Sequence, residues 1–142
     1  MTGYEHYIKW SLVNDHTLFD PERAESLVYR VDGADRKLEA AMYMLGEGAT
    51  LDTVPDVGGR LTQWHVHDDL CFSDDDEAPV VAGIAAPGRR CRPPLTKRAR
   101  IPMLHVWIVP HECGPFASLD GIAAGQVRAG EQRRCTHVHS TR

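Results

Sequence analysis

Gln63-Trp64-His65-Val66-His67-Asp68-Asp69-Leu70-Cys71-Phe72 decides how this chain is read. The run is rich in strand-forming residues and places two imidazoles two positions apart. A strand has a side-chain period of two, so His65 and His67 point to one face. Gln63, Asp69 and Cys71 share that face if the strand continues. Trp64, Val66, Leu70 and Phe72 take the other and can pack a core. Two neutral imidazoles side by side are half of a metal site.

The next strand to consider runs from Ile101 to Val109. Leu104, Val106 and Ile108 form one apolar face. Ile101, Met103, His105, Trp107 and Val109 form the other. Both faces read as buried, which places His105 in the interior, and Pro110 ends the run. A buried histidine needs partners for both ring nitrogens, or a metal on one of them. His65, His67 and His105 on two strands can converge on one divalent ion at about 2.0–2.1 Å. Three protein ligands leave a coordination position for water or substrate. The plainer alternative has His65 and His67 as half-exposed strand residues and His105 as a hydrogen-bonded core histidine.

His6 is the first choice for a fourth ligand, between Glu5 and Tyr7. His111 comes next, although Pro110 turns the chain before it, and His16 falls in a loop. A second set, Cys135-Thr136-His137-Val138-His139 with Cys113, could form a Cys2His2 site at the C-terminus. A frayed tail is the competing account of that segment.

Outward from these blocks, short extended segments alternate with turns. Tyr4 to Asn14 reads as a strand or extended arm. Ser26 to Val31 reads as a strand ending at the Asp32-Gly33 turn, with Leu38 to Leu45 as its hairpin partner. Gly46 to Arg60 is loop-like, and Val80 to Ala85 is a short strand. Ser73 to Glu77 is acidic; Pro87 to Arg100 is basic and proline-rich, which excludes a central strand. Gly114 to Ala124 suits a helical turn or two, and residues 126–142 suit a flexible tail. The pattern predicts one domain, mainly all-β, a small barrel or sandwich with short helical turns.

The 142 residues suit one core, and a formal net charge of −4 argues against a general nucleic-acid binder. No apolar run approaches the roughly 18–20 residues of a membrane span, and Met1 to Trp10 lacks the pattern of a signal peptide. As written, the chain reads as cytoplasmic, with export of a longer form left open. Self-association also stays open. The four cysteines, Cys71, Cys91, Cys113 and Cys135, contain no C-x-x-C pair. In a reducing cytosol they are expected as free, partly buried thiols. If they pair, Cys71 with Cys91 and Cys113 with Cys135 closes the shortest loops. The chain carries no G-x-S-x-G, P-loop, H-E-x-x-H or dinucleotide fingerprint.

The His-x-His pair on one strand with a third histidine on a later one resembles the cupin arrangement. Cupins place a carboxylate a few residues after the pair; here Asp68 and Asp69 follow closely, and only Asp69 shares the histidine face. Four stretches together resemble an uncharacterised family of actinobacterial proteins: Glu5-His6-Tyr7, Pro21 to Tyr29, Leu61 to Phe72, and Met103 to Pro110. Members of that family often carry a longer N-terminal part, sometimes with an export or membrane segment. The resemblance points to His6, His65, His67 and His105 and adds no reaction.

The expectation is therefore a mononuclear, cupin-like metal-binding protein acting on a small molecule. Its ligands are His65, His67, His105 and His6. Gln63, Met103 and Trp107 line the pocket, and Glu5 or Asp69 serves as general base. Copper and zinc rank first, then iron, since imidazole suits all three and Met42, Met44 and Met103 would favour Cu(I). Oxygenase, lyase and hydrolase chemistry are not distinguished. A non-catalytic copper or zinc buffering module is the main alternative, and a metal-free small-molecule-binding barrel the third.

Overall fold

The turn between Asp32 and Asp35 starts the main sheet. Gly33 takes φ 61°, the left-handed conformation a two-residue hairpin loop needs, and the strands on either side pair in antiparallel register. The computed structural model describes residues 3–75, 79–86, 88–98, 100–111 and 113–118. Within them run β1 (Gly3–Ile8), α1 (Trp10–Val13), β2 (Ser26–Asp32), β3 (Asp35–Met44), β4 (Leu70–Phe72), β5 (Val81–Ile84) and β6 (Met103–Trp107). Single 3-10 turns sit at Leu51–Thr53 and Gly59–Leu61. The sheets are antiparallel: a four-stranded one in the order β1-β2-β3-β6, and the pair β4-β5. The mainly β expectation holds, while no closed barrel forms among the described residues. No helix among them is long and apolar enough to cross a membrane.

Alternation puts Tyr4, His6 and Ile8 of β1 on the inner face and Glu5 and Tyr7 on the outer. The inner face gathers Val28, Ala40, Met42, Met44, Ile101, Met103 and Trp107 into the core, with Tyr4 and Ile8 packed against it. His105 lies on the same face of β6, paired with Met42 of β3. On the opposite face, near β3 and β6, the ring of Phe19 packs against Tyr43 and Trp64. Leu104 is buried there, but Ile108, expected on the same apolar face, lies past the strand end and is exposed.

A bulge shapes this sheet. Val28 pairs with Ala40, yet the next residue, Tyr29, pairs with Leu38, so Glu39 is the extra residue on β3. Bulges increase local twist and re-aim a side chain. Here the Glu39 side chain turns inward and accepts a hydrogen bond from Tyr4 Oη at 3.3 Å.

Three expectations need correction. Tyr4 to Asn14 is not a single extended arm, because the chain leaves β1 and forms the short helix α1. Leu61 to Phe72 is not one strand either. Its backbone takes partners from separate places: Gln63 N–H donates to Phe116 O, His65 exchanges two bonds with Met103, and only Leu70–Phe72 pairs as a strand, with β5. No single neighbour runs alongside long enough to form a ladder. Finally, the thiols are not free: Cys71 and Cys91 form a disulfide with Cα atoms 5.6 Å apart. Cys113 is also disulfide-bonded. Of the segment Gly114 to Ala124, where a helical turn is expected, residues 114–118 are described and hold no helix. Residues 119–142, with Cys135, His137 and His139, lie outside the described residues.

Candidate functional site

His6 and His105 come from the two edges of the four-stranded sheet, three strands apart. In a flat sheet those strands would sit about 14 Å apart, at about 4.8 Å per spacing. Yet His6 Nε2 and His105 Nε2 are 3.2 Å apart. The sheet is therefore curled so that its edge strands face one another across the concave side, as the twist and the Glu39 bulge require.

His65 reaches the same place by a different route. Its N–H donates to Met103 O at 3.1 Å, and Met103 N–H donates to His65 O at 2.8 Å. This pins the residue beside β6, and its ring stacks on His105 with centroids 4.9 Å apart and planes 14° apart. His67 stands edge-on to His65, centroids 5.2 Å apart. All four expected ligands thus meet in one cluster.

The rings of His6 and His105 are held neutral. Burial, and then the nearby His67, lowers the pKa of His6 to about 4. Burial, and then the neighbouring histidines with His65 first, pushes His105 well down. Neutral imidazole is the form that binds a metal. His65 Nδ1 lies 3.0 Å from the Gln63 carbonyl oxygen, an acceptor, so Nδ1 carries the proton and Nε2 the lone pair. Between His6 and His105 one nitrogen donates and the other accepts. His105 Nδ1 is buried and finds no hydrogen-bond partner among the described residues. Such a group costs about 1–3 kcal/mol if it is a donor.

These rings fit a metal in part. Two nitrogens each about 2.0–2.1 Å from one ion, at a near-tetrahedral angle, lie about 3.3 Å apart. The His6–His105 separation matches that spacing. Among the described residues, however, no group of three His, Cys, Asp or Glu is already gathered to hold an ion.

The other expected residues divide. Met103 lines the cavity beside the cluster, as does His67. Asp69 Oδ1 lies 3.6 Å from His67 Nδ1, too long for a hydrogen bond but close enough to orient the ring once protonated. Glu5 faces the outside of β1, where Arg36 Nε donates to its carboxylate at 2.7 Å and Tyr7 Oη at 2.9 Å. Those bonds, Arg36 first, hold its pKa down and leave it away from the histidines. Gln63 Oε1 accepts from Ser118 N–H and Oγ, and Trp107 Nε1 donates to Ala117 O. Both residues thus anchor the 115–118 segment. His111 stacks on Trp107, centroids 4.5 Å apart. His16 sits in the loop after α1. Cys113, being disulfide-bonded, offers no thiolate to a C-terminal Cys2His2 set.

Residues that sequence reasoning missed line the cavity. It measures ≈150 Å³ and is walled by His6, His67, Met42, Met44, Phe72 and Ile101 among others, with Lys97, Arg98 and Arg100 at its mouth. Two isolated bridges, His65 with Met103 and Phe72 with Thr96, draw the basic run over the histidine block, and local sequence carries no signal of that pairing.

Fold and site together define a class: a small antiparallel β protein with an interior imidazole cluster opening on an apolar pocket. No protein-family model, curated protein or solved structure matches the chain.

Proposed function

We propose that this chain is a mononuclear metal-binding β protein whose metal site opens on a small-molecule pocket. His6 and His105 are the inner ligand pair, and the 3.2 Å between their Nε2 atoms is the observation that carries the reading. His67, on the cavity wall with His6, is the third ligand after rotation about its side-chain bonds, and His65 is the alternate. The cavity beside two of the rings favours a site with an open position over a closed buffering shell. The bound ion would supply Lewis-acid or redox chemistry to a small molecule held there. Asp69 would hold the orientation of His67 and receive a proton through it. Imidazole donors with Met42, Met44 and Met103 on the same wall favour copper, then zinc, then iron. The proposal includes an oxidising compartment, where a disulfide such as Cys71–Cys91 persists.

Metal analysis of the full chain purified without a His tag tests this. About one equivalent of copper or zinc is expected after reconstitution and desalting. A His6→Gln or His67→Ala variant, each at a partly exposed position, should lose most of it while keeping the native circular dichroism. Loading near zero in the wild type, or wild-type loading retained in both variants, ends the reading.

A further inference from the structure

The pocket mouth has a construction of its own. His65 pairs with Met103 and Phe72 pairs with Thr96, both antiparallel. His65 and Phe72 are seven residues apart, and so are Thr96 and Met103. The two bridges therefore share one register, and segments 65–72 and 96–103 are a two-stranded ribbon whose middle has parted. The Phe72 end is closed by reciprocal bonds, Phe72 N–H to Thr96 O at 2.8 Å and Thr96 N–H to Phe72 O at 3.0 Å. The cavity lies in the opening.

The two sides of the opening differ in charge. Asp68 is the carboxylate among the lining residues, and its backbone oxygen accepts from Lys97 Nζ across the gap. The facing segment brings Lys97, Arg98 and Arg100. Arg98 is part of the wall, since its guanidinium sits 5.8 Å from the Trp10 ring and donates to Asp75 O. Lys97 and Arg100 are exposed at the mouth. Below them the lining is methionine, aromatic and branched aliphatic. Apolar cavities of about 150 Å³ accept a single benzene-sized ring.

We infer that the parted ribbon is a binding site for a small carboxylate with an apolar, single-ring-sized body. The body enters among Met42, Met44, Phe72 and Ile101, and the carboxylate stays at the mouth on Lys97 and Arg100. The ring edge then faces His6 and His67. The assignment rests on the proposed function only for what the ligand meets at the inner end; binding itself needs no metal.

Titration calorimetry on the full chain, stripped of metal by chelation, uses benzoate, benzyl alcohol and benzylamine as probes. Benzoate should bind roughly fivefold or more tighter than benzyl alcohol, and benzylamine weakest, because a carboxylate on two cations gains charge-assisted hydrogen bonds. A Lys97→Gln/Arg100→Gln variant should lose the benzoate preference and keep the benzyl alcohol affinity. No binding by any probe, equal binding by all three, or a preference that survives in the double variant overturns the assignment. Measuring metal loading and benzoate binding on the same wild-type protein separates the two readings. Metal loading without benzoate binding sinks the carboxylate site alone. Benzoate binding by a protein that takes up no metal sinks the metal site alone.

Discussion

The curled sheet and the parted ribbon place the same kind of residue by opposite means. In the sheet, β2 and β3 share a long antiparallel ladder with one bulge at Glu39, and Val28, Ala40, Met42 and Met44 fill one face. His6 and His105 are fixed there by strand register. In the ribbon, two isolated bridges and the Cys71–Cys91 disulfide take the place of a ladder. His65 and His67 are fixed there by where the ends are tied. A ladder distributes its hold over many bonds and leaves little room, whereas a ribbon tied at its ends leaves an opening that can hold a ligand.

The largest effect should come from the sheet side. Trp107 is buried, meets Tyr4 edge-on at 5.6 Å, overlies His105 at 6.0 Å and donates to Ala117 O. Trp107→Ala should cost about 3–5 kcal/mol in urea denaturation, because both the cavity and the orphaned acceptor count against it. Sheet and ribbon should melt together. A cost under about 1 kcal/mol would show that this ring does not bind the two regions into one core.

Removing the disulfide tests the ribbon. The cysteines are 20 residues apart in sequence, and a loop of that length costs about 3 kcal/mol of closure entropy in the chain-entropy account. Cys71→Ala/Cys91→Ala should lower stability by about that amount. Hydrogen exchange should rise more at the Phe72 and Thr96 amides than along β2 and β3. Uniform acceleration across the chain would mean that the ribbon does not open separately.

Acid tests the meeting point of the two regions. The pKa of His6 is lowered from 6.5 to about 4, by burial first and by His67 second. Between those values the unfolded chain binds the proton and the folded one does not, so stability falls as pH drops through this window. With allowance for the partial exposure of the ring, the loss is about 2 kcal/mol. Depression of the His105 pKa acts in the same direction. His6→Gln should flatten the decline between pH 6.5 and 4 in denaturant titrations; an unchanged slope would remove His6 as its source.

Much of this was legible in the sequence where local periodicity governs. Tyr4, His6 and Ile8 alternate with Glu5 and Tyr7, and the apolar alternation around His105 already implied an interior imidazole. The Asp32-Gly33 turn announced its hairpin. What failed depended on partners far along the chain. Glu5 is one of the two candidate bases with Asp69, but Arg36, 31 residues away, holds it on the outer face. Gln63 and Trp107 were assigned to the pocket, and instead they hold the 115–118 segment. The strand expected over Leu61 to Phe72 had the right composition and no single neighbour to pair with. The Thr96–Phe72 bridge, which turns a basic loop into a pocket mouth, has no signature in composition.

The smallest effect belongs to a charge the sheet buries on its own account. Glu25 precedes β2, has 1% of its surface exposed, and accepts from Met44 N–H at 3.2 Å. Burial raises its pKa, and this outweighs the backbone hydrogen bonds that lower it. A raised folded-state pKa means that the native state holds the proton more tightly than the unfolded chain. Stability is then fully present below the ordinary carboxyl value of 4.5 and falls as pH rises through the folded pKa. Glutamine keeps an oxygen for the Met44 N–H and carries no charge. Glu25→Gln should therefore match the wild type near pH 4 and melt at a modestly higher temperature near pH 7, without altering exchange at Phe72 or Thr96. A lower melting temperature at pH 7 would mean that the ionised carboxylate is stabilised where it sits, and that the sheet tolerates a buried charge as the histidine cluster does not.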